Sequence, residues 1–209
     1  MVRPVGGFVY WLPILLAFLA GYLSGSVPWG VVLARLAGAT DPRAVGSGNI
    51  GATNVLRTGR RGLAAATLLL DLLKGFLPVW AAWTWTGPDT ALAAGAGAVI
   101  GHCFPIWLRF RGGKGVATAT GVVLALTPVV LLPASAIFAL AFALTRYVSL
   151  GSMSAALAVP LAAYLWGHVQ AAELYLFVAL LVLFQHRANI ARLLQGREPK
   201  TFLRRKAEP

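Results

Sequence analysis

Residues 63–85 read LAAATLLLDLLKGFLPVWAAWTW, an almost continuous apolar run. As an α-helix this run would be about 34 Å long, enough to cross the hydrocarbon core of a bilayer, which is about 30 Å thick. Asp71 and Lys74 interrupt it three residues apart, about 13 Å or more along the helix from Gly62. Ionisable side chains at that depth are costly, so they are functional candidates, with mutual pairing as the structural alternative. We expect a salt bridge that also directs Lys74 toward a polar cavity.

The rest of the chain has the same apolar character. Of its 209 residues, 58% are hydrophobic and 11% are charged, and the mean hydropathy is +0.75, values outside the range of ordinary soluble domains. We therefore expect an all-α integral membrane protein with a single domain, 1–209. Its end, about 199–209, is expected to be a basic tail that is disordered or lies on the membrane surface. The single cysteine, Cys103, excludes an internal disulfide and is typical of a small buried hydrophobe.

The hydropathy pattern predicts seven transmembrane helices. The first begins near Phe8 and extends into residues 31–36. Within it, Gly21 and Gly25 form a G-x-x-x-G pattern, which indicates close helix packing. The other predicted spans cover about 63–85, 91–108, 116–132, 133–145, 149–166 and 172–184.

Charge predicts the orientation of these spans. Basic residues concentrate in the loops on one side, whereas the other side has Arg3 and the acids Asp89 and Glu173. The positive-inside rule then places the N-terminus outside and the C-terminus in the cytoplasm. The same bias explains the net charge of +12. Nucleic acid is not an expected partner, because aromatic and basic residues do not alternate on a soluble surface.

A glycine-rich basic loop, Arg109 to Thr118, lies between two predicted spans. Its glycines are expected to leave backbone N–H groups bare toward an anion, and Lys114 and two arginines supply positive charge. The apolar run from Val116 starts as a helix, whose N-terminus also favours negative charge. The structural alternative is a tight turn whose basic residues only mark the cytoplasmic side. The phosphate-binding candidates in this loop are Gly112, Gly113, Lys114 and Gly115.

The glycine-rich loop is not a Walker A motif. Leu108 and Gly115 occupy the positions where that motif needs a glycine and a serine or threonine. Nucleotide hydrolysis is therefore disfavoured.

A second polar motif follows the first span, at residues 46–57. Its glycines permit close approach to a ligand, and Arg57 can hold phosphate through two parallel hydrogen bonds. An ordinary turn with Asn54 as a helix cap is the structural alternative. The candidate binding residues here are Gly46, Ser47, Gly48, Asn49, Thr53, Asn54 and Arg57.

A third motif lies at the exit of the last predicted helix. His186 and Asn189 are three residues apart, so they share a helix face, and Arg187 lies between them. Taken alone, an interfacial histidine is as consistent with a headgroup contact or a helix cap as with function. Ser149 beside the fifth span is a further binding candidate, although a single serine is weak support.

Several chemistries lack the residues they need. The histidines, Cys103 and the acids of the predicted cytoplasmic side, including Asp41 and Glu198, are too scattered for a metal site. The H-x-x-x-x-D pair of common glycerolipid acyltransferases is missing, because Trp107 and Ala191 stand five positions after the two candidate histidines. We expect a site rich in anion-binding groups and poor in carboxylate bases, with no metal and no cofactor.

The three motifs resemble the signature motifs of the PlsY family, which comprises bacterial acyl-phosphate-dependent glycerol-3-phosphate acyltransferases. The matching segments are 46–57, 101–118 and 186–198, and the resemblance extends over essentially the whole chain. It implies seven helices with the N-terminus outside, in the bacterial cytoplasmic (inner) membrane, with the active site facing the cytoplasm. It also implies transfer of an acyl group from acyl phosphate to the sn-1 hydroxyl of glycerol 3-phosphate. The products are lysophosphatidic acid and inorganic phosphate. This reaction is the first step of bacterial phospholipid synthesis.

The resemblance and the chemistry together assign residue roles. The expected catalytic residues are Ser47, Arg57, Lys114, His186 and Asn189. The first three engage phosphate and offset charge on the attacked carbonyl, and the last two position glycerol 3-phosphate, helped by Lys74 and Ser149. Either the leaving phosphate or His186 accepts the hydroxyl proton. Expected partners are acyl phosphate, glycerol 3-phosphate, membrane lipids and an upstream enzyme that forms acyl phosphate.

Two other classes would also bind phosphate among helices. A transporter or flippase of a phosphorylated lipid or small phosphate ester should show half-repeats and midplane binding groups, and we find no such repeat. A membrane phosphotransferase needs a carboxylate cluster for magnesium, which the sequence lacks.

Overall fold

The structure is a computed structural model, and it describes residues 8–201. Within this range the regular structure is entirely helical, so the predicted all-α class is confirmed. The ten α-helices are α1 (Phe8–Ser26), α2 (Trp29–Leu36), α3 (Ala52–Val55), α4 (Arg61–Trp85), α5 (Pro88–Cys103), α6 (Val116–Leu126), α7 (Leu131–Thr145), α8 (Val148–Leu165), α9 (Val169–Gln185) and α10 (Arg187–Leu194).

The helices form two compact units, which divide between Pro128 and Val129. In the first unit, α1 packs along α5, and α4 packs against α1, α2, α5 and α6. In the second unit, α8 packs between α7 and α9.

Among residues 8–201, four segments are long and apolar enough to cross a membrane: α4, α5 with its following turn to Leu108, the stretch Pro128–Thr145, and α8. The number is up to six if each of two bent helix pairs is one span, α1 with α2 at 40° and α9 with α10 at 57°. The chain is thus a multi-pass integral membrane protein. The predicted span 116–132 is not one helix, because α6 ends at Leu126 and a short 3₁₀ turn precedes α7. Pro128 explains the early end, since proline lacks the N–H that would continue the helix.

The break between α1 and α2 has a similar cause. Pro28 cannot donate a backbone hydrogen bond, and α1 ends two residues earlier at Ser26. The Val27 carbonyl at the break accepts hydrogen bonds from the Trp29 N–H at 3.1 Å and from the Lys74 ammonium at 2.8 Å. Unsatisfied backbone groups are costly in hydrocarbon, so Lys74 stabilises a bend that would otherwise be unfavourable there.

Small residues let α1 and α5 approach closely. A Cβ atom added at Gly21 or Gly25 would overlap the carbonyl oxygens of Ala94 or Ala98 on α5. The same holds in reverse, because a Cβ atom at Gly97 would overlap the Phe18 carbonyl of α1. The predicted close packing at the G-x-x-x-G pattern is confirmed, and it is a backbone-to-backbone contact.

Replacing Gly97 by alanine should destabilise the first unit. The added methyl group has no space against α1, and overpacking of this kind costs about 1–3 kcal/mol. We expect Gly97→Ala to lower the apparent melting temperature in detergent. Gly62→Ala is the matched control, because nothing lies within 4 Å of the added atom, and it should leave that temperature unchanged or raise it. Equal melting temperatures for the two variants would contradict this packing.

Candidate active site

The loop between α2 and α4 folds around one buried side chain, Asn54, which is 2% exposed. Its amide nitrogen donates to three backbone carbonyls, those of Pro42 at 2.6 Å, Val45 at 3.1 Å and Asn49 at 2.8 Å. Its amide oxygen accepts from the backbone N–H of Ser47 at 3.1 Å and from its hydroxyl at 3.3 Å. The loop therefore uses the hydrogen-bonding capacity of this amide for its own shape.

Ser47 and Arg57 are exposed on the frame that Asn54 sets. Gly46 has φ of +57°, and a Cβ atom there would meet Asn54 Oδ1 at 2.5 Å and Arg57 Cδ at 2.9 Å. Glycine is needed both for the backbone conformation and for space. As a result the Arg57 side chain packs against Gly46, and the exposed residues Ser47 and Arg57 belong to one loop.

The other candidates of this loop shape or flank it. Gly48 has φ of +68° and is exposed. The Asn49 side-chain oxygen accepts from the Gly51 N–H at 2.8 Å, which makes a local Asx turn. Thr53 is exposed at the start of α3.

The glycine-rich loop folds back on the end of α5. The Gly112 N–H donates to the Cys103 carbonyl at 3.1 Å, and the Gly113 N–H donates to the His102 carbonyl at 3.0 Å. The expectation that these two amides are bare is wrong. Added Cβ atoms would overlap the His102 carbonyl and Pro105 at position 112, and the His102 imidazole at position 113. These glycines are required because the loop lies directly on α5.

Beyond these glycines, the loop turns into α6. Gly115 has φ of +82°, and α6 begins at the next residue, as the sequence predicted. Lys114 is half-buried at this turn. The first-turn amides of α6 and the positive end of its dipole therefore lie beside the lysine, which favours an anion.

His186 lies at the junction of α9 and α10 in the second unit and is 2% exposed. Its Nδ1 is 2.8 Å from the Val182 carbonyl oxygen. A carbonyl can only accept, so Nδ1 donates and carries a proton. In the neutral imidazole the basic lone pair is then on Nε2.

Asn189, one turn further on, is 4% exposed and lies beside a buried carboxylate. Its amide nitrogen donates to Glu198 Oε1 at 2.6 Å. Its buried amide oxygen has no hydrogen-bond partner among residues 8–201. A buried acceptor left unsatisfied is unfavourable, and it is well suited to receive a hydroxyl from a ligand.

Glu198 joins three separate parts of the second unit. Besides Asn189, the Ser149 hydroxyl donates to Oε1 at 2.7 Å and the Arg192 guanidinium donates to Oε2 at 2.7 Å. Burial acts to raise the pKa of Glu198, but these three hydrogen bonds and the charge of Arg192 outweigh it and lower the pKa below its ordinary value. The carboxylate is therefore ionised near neutral pH and holds Ser149 and Asn189 at one point.

Glu198 is one of the scattered acids for which the sequence predicts no role. The available signal was an isolated acid in a strongly basic segment, between Arg197 and Lys200. The segment after α10 is also more fixed than expected. The Thr201 N–H donates to the Arg146 carbonyl at 3.0 Å. The remainder of the predicted disordered tail, 202–209, lies outside the described residues.

Two predicted binding residues, Arg187 and Lys74, have partners within the protein. Arg187 is exposed, donates to the Phe184 carbonyl at 3.1 Å and lies 4.7 Å from the centre of the Phe184 ring. Lys74 forms the predicted salt bridge with Asp71 at 2.7 Å, and its ammonium also binds the carbonyl at the α1–α2 break. Among residues 8–201 no group of three or more histidine, cysteine or acidic side chains could hold a metal ion.

The chain matches known proteins over most of its length. A family model described as glycerol-3-phosphate acyltransferase matches residues 15–196. A glycerol-3-phosphate acyltransferase of Methylorubrum extorquens is 55% identical over 189 residues, which are 90% of this chain and 93% of the relative. The enzyme of the same name from Nitrobacter winogradskyi is 54% identical over 184 residues, 88% of this chain and 94% of the relative.

Two solved structures have the same fold. Crystal structures of PlsY (YgiH), an integral membrane glycerol 3-phosphate acyltransferase, are known in a glycerol 3-phosphate form and a lysophosphatidic acid form. The first has a TM-score of 0.86 at 39% identity and covers 90% of this chain and 96% of that one. The second has a TM-score of 0.84 at 38% identity, with 90% and 95% covered. The chain therefore belongs to the glycerol-3-phosphate acyltransferase family, and the predicted family and enzyme class are confirmed.

Replacing Glu198 by glutamine should destabilise the second unit in a pH-dependent way. Hydrogen bonds to a charged group contribute about 1.5–3 kcal/mol each, so Glu198→Gln should lower the apparent melting temperature at pH 7. Because folding lowers the pKa of Glu198, its contribution is present above the ordinary value of 4.5 and is lost as pH falls through the folded value. The difference between wild type and variant should shrink below pH 4.5.

The control for this comparison is Glu173→Gln, since Glu173 is an exposed carboxylate on α9. It should leave the melting temperature unchanged at every pH. The role of the Glu198 charge would be contradicted if the melting temperatures of wild type and Glu198→Gln differed by the same amount at pH 7 and pH 4.

Proposed function

We propose that this glycerol-3-phosphate acyltransferase takes its acyl group from an acyl phosphate. The O1 hydroxyl of glycerol 3-phosphate attacks the acyl carbon, the bond from that carbon to the phosphate oxygen breaks, and lysophosphatidic acid and inorganic phosphate leave. The observation that supports this most strongly is the family match over residues 15–196, on a chain whose motif loops combine glycines with cations. Both substrates have a phosphate group, and such loops suit phosphate binding.

We further propose seven spans in the bacterial inner membrane, with the N-terminus outside and the motif loops in the cytoplasm. The bent pair α1–α2 and helices α4 to α9 would be these spans, and α6 would be a short one, since its 11 residues are about 16 Å long. The basic loops support this orientation through the positive-inside rule. Both units belong to one catalytic domain, 1–209, in this proposal.

Phosphate recognition and charge stabilisation are assigned to Ser47, Arg57 and Lys114. The exposed Ser47 and Arg57 of the first loop can hold phosphate oxygens, and Lys114 at the start of α6 can offset charge on the attacked carbonyl. Their exposed neighbours in the first loop, Gly48 and Thr53, would lie beside the same phosphate group. Asn49, Asn54, Gly46, Gly112, Gly113 and Gly115 support binding mainly by giving the two loops their shape.

Glycerol 3-phosphate is assigned to His186 and Asn189. The unsatisfied Asn189 oxygen can accept from a glycerol hydroxyl, and Ser149 and Glu198 hold that amide in place. Arg187, exposed beside them, supplies charge near the substrate phosphate. The hydroxyl proton passes to the leaving phosphate, and Nε2 of His186 is the rival acceptor.

Replacing His186 by glutamine separates these two proton acceptors. A general base contributes about 10²–10⁴-fold to the rate. If the leaving phosphate takes the proton, His186→Gln should mainly raise KM for glycerol 3-phosphate and lower kcat by less than about 100-fold. A near-complete loss of kcat at unchanged KM would instead make His186 the base.

The donor is tested by purified protein in detergent or lipid, with acyl phosphate and glycerol 3-phosphate supplied together. We expect one phosphate released for each lysophosphatidic acid formed, and strong loss of both in Lys114→Gln because the developing charge is no longer offset. Transfer from coenzyme A or acyl-carrier-protein thioesters in place of acyl phosphate would contradict the donor assignment.

A further inference from the structure

The first unit contains a continuous series of buried polar side chains, of which only Lys74 is among the predicted substrate-binding residues. It starts at Lys74, which is 4% exposed and donates to the Val27 carbonyl at the α1–α2 break. The Ser24 hydroxyl of α1 donates back to the Lys74 carbonyl at 3.0 Å. The ammonium therefore lies at the carbonyl end of α1, where the helix dipole favours a cation, and its position on α4 is fixed from two sides.

Asp71 is the next member of the series. One of its carboxylate oxygens, Oδ1, is 2.7 Å from the Lys74 ammonium and 3.8 Å from His102 Nδ1. Its side chain is 3% exposed, so water does not screen these interactions. Asp71 thus connects the break in α1–α2 to a histidine at the end of α5.

His102 connects this series to the glycine-rich loop. Its Nδ1 is 3.1 Å from the Thr118 hydroxyl in the first turn of α6, and its carbonyl accepts the Gly113 N–H. A Cβ atom on Gly113 would overlap the imidazole. The segment between Gly113 and Thr118 is therefore bonded at both of its ends to one residue, by the His102 carbonyl at Gly113 and by the His102 imidazole at Thr118.

The same helices also meet directly. A Cβ atom added at Gly75, the residue after Lys74, would overlap the Thr118 carbonyl. Helix α4 therefore supports the start of α6 by backbone contact, and its Asp71 Oδ1 lies 3.8 Å from His102 Nδ1. Two of the contacted residues, Gly113 and Thr118, flank Lys114 in the sequence.

We propose that Asp71, Lys74 and His102 are positioning residues that hold the loop 112–115 in its anion-binding shape. Lys74 acts here by fixing Asp71 and the α1–α2 break, which differs from direct contact with substrate. The rival explanation is that the buried ion pair serves stability alone. The kinetic tests of this proposal rest on the proposed function, because they require acyl transfer. Hydrogen exchange of the loop amides tests the proposal without it.

The first test compares two isosteric variants of fully buried threonines. Thr118→Val removes the hydroxyl that faces His102, and Thr67→Val removes a hydroxyl on α4 that donates to the Leu63 carbonyl. Both side chains are 0% exposed. We expect amides of the segment 109–115 to exchange about tenfold faster or more in Thr118→Val, and unchanged in Thr67→Val. His102→Gln should have the larger effect on the same segment.

The second test removes the ion pair without leaving an unpaired charge. Replacing both partners of a buried pair is often close to neutral for stability, whereas removing one is costly. The double variant Asp71→Asn/Lys74→Met should therefore melt closer to wild type than either single variant does, with a residual loss because the Val27 carbonyl keeps only the hydrogen bond from the Trp29 N–H. The amides of segment 109–115 should still exchange hydrogen faster in this variant than in wild type. Its KM should rise about tenfold, or about 1.4 kcal/mol, for the same substrate whose KM rises in Lys114→Gln.

Gly97→Ala controls for instability alone, since it should lower the melting temperature without changing the exchange of 109–115 or the KM. The proposal would be overturned if both the double variant and His102→Gln kept the wild-type hydrogen exchange of 109–115 and the wild-type KM. If the double variant does not fold, His102→Gln and Thr118→Val decide by the same criteria. If the wild-type protein shows no acyl transfer, the proposed function fails, and the exchange data still decide whether these residues hold the loop.

Discussion

The contact between the Lys74 ammonium and the Val27 carbonyl sets the conditions for the rest of the first unit. A chain that bends inside hydrocarbon exposes backbone groups that no water can satisfy, and Pro28, which lacks a backbone N–H, lies at such a bend. Lys74 satisfies the carbonyl at 2.8 Å, but a buried cation needs a counter-charge of its own. Asp71 provides it, and its other neighbour is the histidine under the glycine-rich loop. One backbone requirement thus leads, through successive buried partners, to the shape of a candidate phosphate site.

In both polar loops and in the C-terminal segment, a buried polar residue holds candidate site residues in place. Asn54 does so for the loop with Arg57, His102 for the loop with Lys114, and Glu198 for the segment with Asn189. The organising side chains are buried and hydrogen-bonded, and the candidate ligands of phosphate lie beside them. Preorganised donors cost little to reorient when charge develops, which favours acyl transfer.

Much of the fold could be predicted from the sequence because hydropathy and helix breakers act locally. The positions of α4, α8 and α9, the start of α6 and the Asp71–Lys74 pair all followed from patterns within about 20 residues. The motif chemistry also indicated the family correctly. The missed features depend on partners distant in sequence, such as Ser149 with Glu198, or on backbone hydrogen bonds, such as those of Gly112 and Gly113. A glycine-rich segment has the same amino-acid sequence whether its backbone amides are free to bind an anion or are hydrogen-bonded to a neighbouring helix.

Labelling of single cysteines tests most directly the claim that the motif loops serve one chemistry at one membrane face. Cys103 is the sole cysteine, so a Cys103→Ala background can take new cysteines at the exposed positions Arg60, Arg111, Arg197, Trp85 and Gln170. With a membrane-impermeant maleimide on intact cells, we expect labelling at 85 and 170 only, and labelling at 60, 111 and 197 after the membrane is opened. Labelling of 111 and 197 from opposite faces would contradict the account.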